Sequence, residues 1–547
     1  MTNTNTTKDQ SSASCSPDTF SFPAIFGTEL ISITAQPLQY QEGSSSAFFP
    51  EGGLVQPEAL DSVCNLTLTY THPGQNDAVN TQVLLPGTPT WNHRLLTVGG
   101  GGYAVGYPDG DVMIAFASRG YTTATTDGGH AMNLFQAHPA EWALVSPGNH
   151  DQAQLLNWAY RAPIEAAKFG KLAAESYYGT RPKRTYWSGC STGGRQGIAM
   201  AQKAPQEFDG ILASCPATNV DRLVLSMYWP QQVMKNKDAY PPACELDGIQ
   251  DAALAACDGL DGIEDGIIAL PDHCDFHPSE VVGREVNCGD GTTRIISRDA
   301  ADIVEAAWRG VVDDETGELR AEGMPVGARL TSFFSTARTT CDEESGECKG
   351  DPIWLVDPWV RFFLKRDPHF DMSSLTGSDY FALFEETPAE FRGLFGANTH
   401  DVPPSLGRFR KSGAKMITWH GVDDQTISVR EGRAFYDAVV AWDAARGVDT
   451  KDYYRYFEVP GASHCSAPLG KPFPLHALDA LVKWVEEGIV PEFLETVRLG
   501  VTEEESGPMM PACLYPELPL WEEGRGFICK TYKASGNEDK AQKRDEL

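Results

Sequence analysis

The chain has 547 residues, enough for two to four units of roughly 150 residues each. Its 41% apolar and 22% charged composition excludes a disordered or fibrous protein, and no run approaches the ~18 consecutive apolar residues of a membrane span. Asp plus Glu number 75 against 44 Lys plus Arg, a net charge of −31. A polyanion such as nucleic acid is repelled by that surface, so small neutral molecules or cations are the expected partners.

Taken in chain order, MTNTNTTKDQ has no apolar h-region, so no signal peptide is visible there. Thr81–Leu85 and Arg94–Val98 read as strands, and Asp151–Tyr178 has helical apolar spacing. Thr185–Ser188 reads as a short strand, Arg195–Lys203 as a helix and Gly210–Ser214 as a strand. The alternation resumes with Lys415–Trp419 (strand), Glu431–Ala445 (helix), Tyr453–Val459 (strand) and Leu475–Glu487 (helix). Strands alternating with helices predict an α/β fold, a parallel sheet covered by helices on both faces. Between the two halves the pattern fails, in a stretch rich in Pro, Gly, aromatics and six of the cysteines. The expected organisation is a core in two parts, 1–219 and 406–547, with a domain of 220–405 inserted over the sheet edge as a lid.

Thirteen cysteines are scattered along the chain and no C-x-x-C pair occurs, which argues against zinc ribbons and thioredoxin-like redox sites. An acidic chain with this cysteine usage reads as disulfide-bearing and secretory, extracellular or in the lumen of the endoplasmic reticulum. The odd count leaves one thiol over. Asn65-Leu66-Thr67 has the pattern of a glycosylation acceptor. The terminal Arg544-Asp545-Glu546-Leu547 differs by one conservative change from the Lys-Asp-Glu-Leu retrieval signal; the competing reading is a charged tail.

Gly189-Cys190-Ser191-Thr192-Gly193 carries the strongest chemical signal. A G-x-S-x-G sequence between a strand and a helix is a nucleophile elbow, which presents the serine hydroxyl at the carboxyl end of the sheet. A serine needs a base and an orienting acid, in the chain order Ser, Asp or Glu, His for this fold. His464 follows the strand Tyr453–Val459, and Asp423 and Asp424 follow Lys415–Trp419 in His420-Gly421-Val422-Asp423-Asp424. If Ser191 and His464 meet, then Cys190 and Cys465 lie within bonding reach. A disulfide there would close a loop of about 275 residues, worth about 5–6 kcal/mol on the chain-entropy model.

Cys190-Ser191, Asp424 and His464-Cys465 together resemble the hallmark of the tannase and feruloyl esterase family of serine hydrolases, in which the two cysteines are bonded. The resemblance, to fungal feruloyl esterase B and tannase among others, covers the chain from about Cys15 to Cys529. It implies an α/β-hydrolase core with a large inserted lid, and it favours Asp424 over Asp423 as the acid of a Ser191–His464–Asp424 triad. It also implies a serine carboxylic ester hydrolase that cleaves esters of aromatic or phenolic acids through an acyl-enzyme. The alternatives are an esterase acting on a fungal specialised metabolite, and a non-catalytic, calcium-dependent binding protein on a hydrolase scaffold.

The oxyanion of such a reaction needs backbone donors. Thr192, just after the nucleophile, offers one, and Gly99-Gly100-Gly101-Gly102 after the strand Arg94–Val98 offers the other, with Gly101 preferred and Gly102 next. Cys257-Asp258-Gly259-Leu260-Asp261-Gly262-Ile263-Glu264-Asp265-Gly266-Ile267 places three carboxylates among chain-turning glycines, a pattern able to wrap a hard cation. By resemblance the ion is a structural calcium (Ca2+) on the lid, held by the carboxylates of Asp258, Asp261 and Asp265 and the carbonyls of Ile263 and Ile267. Resemblance and local spacing also suggest the pairs Cys15–Cys64, Cys257–Cys274, Cys341–Cys348, Cys513–Cys529 and Cys244–Cys288, with Cys215 left as the thiol. Ile427, three residues past Asp424, is expected in the substrate pocket. The physiological ester and the oligomeric state are not legible in the sequence.

Overall fold

The computed structural model describes residues 14–22, 25–40, 60–106, 110–133, 136–289, 291–313, 316–342, 344–387, 391–399, 403–498 and 508–532. The terminal decapeptide MTNTNTTKDQ and the Arg544–Leu547 tetrapeptide lie outside these residues.

One sheet of eleven strands organises the molecule. In chain order these are β1 Glu29–Tyr40, β2 Leu60–Thr71, β3 Val79–Pro86, β4 Arg94–Val98, β5 Thr122–Thr126, β6 Arg184–Cys190, β7 Gly210–Ser214, β8 Lys415–Gly421, β9 Tyr454–Val459, β10 Phe493–Leu494 and β11 Ala512–Leu514. Their spatial order is β1-β2-β3-β5-β4-β6-β7-β8-β9-β11-β10. From β5 to β9 all neighbours run parallel, whereas β1, β2 and β3 on one side and β11 and β10 on the other pair antiparallel. The parallel strands are buried on both faces, as strands covered by crossover helices must be.

The crossovers bury mostly small or aliphatic residues against this sheet. They include α1 Gly110–Ser118, α2 Ala162–Tyr178, α3 Thr192–Lys203, α8 Val429–Ala444 and α9 Ala477–Glu487. The predicted helix over 151–178 forms, but in three pieces: Gln152–Leu156 is α-helical, Asn157–Arg161 widens to a π-turn, and α2 follows. Pro163 near the start of α2 lacks the N–H that a regular ladder would use there. The π-turn also buries Trp158 and Asn157, and the Asn157 amide donates to Asp77 Oδ2 at 3.1 Å.

Among the described residues, none between β7 and β8 adds a strand to the central sheet. This stretch instead folds α4 Val220–Ser226, α5 Trp229–Lys237, α6 Ala243–Cys257 and α7 Arg298–Arg309, together with three short hairpins. Helices α5, α6 and α7 enclose a small core of their own around Leu246, Ile249, Ile303 and Val304. Aromatics of the same stretch, Trp359, Phe363, Phe391 and Phe395, share a core with Trp158 and Tyr103 of the sheet-bearing part.

Six disulfides form: Cys15–Cys64, Cys190–Cys465, Cys244–Cys288, Cys257–Cys274, Cys341–Cys348 and Cys513–Cys529. No helix of the described residues is long and apolar enough to cross a membrane. Asn65 does not lie on a loop, where a glycan acceptor belongs. It sits in the middle of β2, paired on both sides, and its side-chain oxygen accepts from Gln82 at 3.0 Å.

Candidate active site

Strand β6 ends at Cys190 and α3 begins at Thr192, leaving Ser191 alone to make the turn, at φ 61° and ψ −120°. So sharp a reversal brings backbone against backbone. A Cβ on Gly189 would lie 2.7–2.8 Å from the backbone of Gly193, and one on Gly193 would lie 2.9 Å from the carbonyl oxygen of Gly100. Both flanking glycines of the pentapeptide are therefore required by contact, beyond any freedom of φ. The Gly193 N–H donates to Gly100 O at 2.9 Å and the Gly100 N–H to Gln196 Oε1 at 3.1 Å, which fastens the four-glycine loop to the start of α3. The Thr192 hydroxyl adds a bond to Gly102 O at 2.7 Å. Among the described residues no acceptor takes the N–H of Gly101 or of Thr192, and both residues line the same cavity as Ser191.

On the far side of that cavity β8 and β9 deliver the ionisable pair. His464 Nδ1 lies 2.8 Å from Asp424 Oδ2, which assigns the proton to Nδ1 and leaves Nε2 bare. The other oxygen, Asp424 Oδ1, accepts the N–H groups of Thr426 at 2.9 Å and Ile427 at 2.8 Å. Burial would raise the pKa of Asp424, but the facing His464 and the bond from His420 outweigh it and hold the carboxyl well below the usual carboxylate range. The carboxylate is thus ionised and held in one orientation. The His464 N–H in turn donates to Gln425 Oε1 at 3.0 Å. Among the described residues no hydrogen bond joins Ser191 Oγ to His464; such bonds commonly tighten only around a bound substrate.

Asp423, the other acid weighed from the sequence, points elsewhere, into a second cavity that lies on the other side of His464. His420 has a place that its sequence signal left unassigned. It is fully buried, and its Nε2 lies 3.2 Å from Asp424 Oδ2 and 3.0 Å from Ile427 O. Facing two acceptors, that nitrogen carries the proton, so His420 braces the acid and the backbone of its loop together. Cys215, which no disulfide takes, is also buried here; its sulfur and ligand atoms of Asp424 and His464 lie within 4.8 Å of one another.

The Cys190–Cys465 disulfide joins the residue before Ser191 to the residue after His464, with Cα atoms 5.9 Å apart. The cavity between them is a narrow slot of about 80 Å³. Its walls are almost wholly apolar: Val98, Leu223, Val224, Met227, Trp354 and Trp359, with Ile427 among the lining residues as expected. A flat aromatic or aliphatic group suits such a lining.

The acidic loop satisfies its carboxylates only in part. Asp258 turns its carboxylate onto backbone N–H groups of Asp265, Gly266 and Ile267 at 2.9–3.1 Å. Asp261 Oδ1 accepts from the Ile263 N–H at 3.2 Å, while Asp261 Oδ2 and Asp265 Oδ1 are buried with no hydrogen-bond partner. Burial, with the neighbouring Asp265 and Asp258, pushes Asp261 up to about 7. Two orphaned carboxylate oxygens in one loop fit the donor set of a hard cation. The Ile267 side chain is fully buried in a small core with Ala269 and Leu270, and Ile263 is half-buried.

The chain as a whole is similar to known proteins. The sequence profile described as "Tannase and feruloyl esterase" matches residues 64–534. A probable feruloyl esterase of Arthroderma benhamiae is 34% identical over 503 residues, covering 92% of this chain and 90% of that protein. A tannase of Aspergillus oryzae is 26% identical over 513 residues, 85% of this chain and 84% of that one. Among solved structures, a tannin acyl hydrolase from Aspergillus niger superposes with a TM-score of 0.83 at 26% identity, covering 95% of each chain.

Proposed function

This chain belongs to the tannase and feruloyl esterase family and is a carboxylic ester hydrolase, and from that premise we propose that it cleaves esters of aromatic acids with Ser191 as nucleophile, His464 as base and Asp424 as the orienting acid. The observation that carries the reading is the Asp424–His464 pair on the wall of the cavity that the Ser191 elbow enters. His464 Nε2 takes the Ser191 proton as Oγ attacks the ester carbonyl, then gives it to the leaving alcohol. Asp424 fixes the imidazole tautomer and stabilises the imidazolium. The N–H groups of Thr192 and Gly101 receive the oxyanion, and water then releases the acid from Ser191. The 220–405 insert, which supplies Leu223, Val224, Met227, Trp354 and Trp359 to one wall of the apolar slot, serves as the lid over the acyl group.

A fluorophosphonate probe should label Ser191, and a panel of methyl ferulate, methyl gallate and simple alkyl esters should rank the acyl group. A well-folded protein that takes no label would overturn the triad and favour a binding role instead.

We further propose that the 257–267 loop holds calcium through Asp261 and Asp265, each of which keeps one buried oxygen without a partner while the other is bonded to Ile263 N–H or to Arg498. The ion would offset the burial, and with it the repulsion from Asp265 and Asp258, that lifts the Asp261 pKa, and so stabilise the folded chain by linkage. Chelation, or Asp261→Ala, should lower the melting temperature by a few degrees while turnover at 25 °C stays nearly unchanged. A melting temperature indifferent to added calcium sinks this assignment. The six disulfides fit an extracellular or secretory location.

A further inference from the structure

We propose that the second cavity beside His464 receives the leaving alcohol, and that Lys471 and Arg329 make it select alcohols bearing a carboxylate, that is, esters of hydroxy acids. The inference rests on the esterase reading above. An ester straddles its nucleophile, with the acyl group on one side and the alcohol on the other. The imidazole that protonates the departing oxygen must face the alcohol side. His464 lines both cavities, and so does Phe334. The slot already described is narrow and apolar. Its neighbour encloses about 680 Å³ and presents Arg329, Asp423 and Lys471.

Two cations at one cavity are unexpected in a chain of net charge −31. Arg329 is held at the rim by Asp251, its Nη2 donating to Oδ1 at 2.6 Å, with Asp247 4.0 Å from Nη1. Lys471 spends one of its three protons on Gly266 O and keeps two. Asp423 Oδ1 is buried and has no hydrogen-bond partner. Burial pushes the Asp423 carboxyl up to about 7, against the pull of Lys471 and Arg329, so near neutrality it is partly protonated and offsets Lys471 only in part, while Arg329 shares its charge with Asp251 and Asp247. The wall carrying Phe333 and Phe334 is tied to the acid loop, since Gln425 Nε2 donates to Phe333 O at 3.3 Å and Thr426 Oγ1 to Phe334 O at 3.0 Å. The cavity is therefore built on the catalytic loops themselves. A carboxylate on the alcohol would meet Lys471 and Arg329 while the ester oxygen stayed beside His464.

The test uses three esters of whichever aromatic acid the protein cleaves fastest as its methyl ester: the methyl, glycolate and choline esters. The glycolate ester should exceed the methyl ester in kcat/KM by about tenfold, with the choline ester slowest. Lys471→Gln should reduce the glycolate-to-methyl ratio several-fold. Arg329→Gln, at a side chain 44% exposed and so little involved in folding, should do the same independently. Cleavage of the methyl ester without preference for glycolate, or a preference that survives both substitutions, overturns the leaving-group assignment alone. Failure to cleave the methyl ester of any aromatic acid overturns instead the aromatic-ester reading beneath it.

Discussion

Replacing Ser191 with alanine should lower ester turnover by about 10⁴-fold or more while the melting temperature stays within about 2 °C of the parent. The two halves of that expectation have separate causes. Ser191 holds a positive φ, and alanine meets the same Cβ strain there as serine, so the substitution adds no backbone cost. The turn is kept by main-chain groups that alanine retains: the Ser191 N–H donates to Ser214 O at 3.0 Å, and its carbonyl accepts from Arg195 at 3.0 Å and Ala217 at 3.1 Å. What disappears is the one oxygen proposed to attack the ester. The Thr192 and Gly101 N–H groups and the acyl slot remain, so a residual rate above that of water is expected from polarisation and binding alone. The measurement is kcat on the best methyl ester, taken beside a thermal melt. Activity within tenfold of the parent at an unchanged melting temperature removes Ser191 from the mechanism.

The parallel half of the sheet was legible because most of its strands carry a plain signal, short largely apolar runs between helices. Arg94–Val98 and Gly210–Ser214 form over the residues expected, and Thr185–Ser188 extends to Arg184–Cys190. β5, Thr-Thr-Ala-Thr-Thr, escaped because its composition looks polar, although every residue is buried; in a central strand the threonine hydroxyls are covered along with their methyl groups. The long antiparallel pair β1 and β2 escaped for a different reason. It lies at one end of the sheet, where β1 alternates between exposed and half-buried side chains and β2 between half-buried and buried ones, and no helix intervenes to mark its limits. The carboxylates illustrate what spacing alone leaves open. Asp423 and Asp424 are adjacent in the chain, yet the turn sends one to His464 and the other into a separate cavity. Only the resemblance chose between them. His420 shows the converse, since a histidine on a buried strand gives no hint that it will face a carboxylate four residues on.

Replacing both Cys190 and Cys465 with alanine should lower kcat by about 100-fold with little change in KM, even at temperatures where the variant is fully folded. The disulfide is not what joins the acid to the base. That pairing has its own supports: the His464 N–H to Gln425, the Nδ1 contact to Asp424, and the Asp423 N–H to Ala462 O at 3.0 Å. The turn that carries His464 is closed on itself as well, by the Ser463 N–H to Ser466 O at 2.8 Å. Asp424, His464 and the turn are therefore tied into one body, hung on β8 and β9, while Ser191, the proposed nucleophile, hangs on β6 with β7 between them. The disulfide is a direct covalent link between these two bodies beside the reacting atoms. Without it the Asp424–His464 pair persists but its distance to Ser191 is free to vary. A shift of about 1 Å at a proton-transfer step is enough for the expected loss. Stability falls too, by up to about 5–6 kcal/mol on the chain-entropy model, so the assay belongs well below the melting transition. Near-UV circular dichroism would certify the fold, and peptide mapping of the unreduced parent should yield the 190–465 pair. A double variant that keeps kcat within threefold would show that packing alone sets the Ser191–His464 distance, and the disulfide would then be a brace for stability with no part in catalysis.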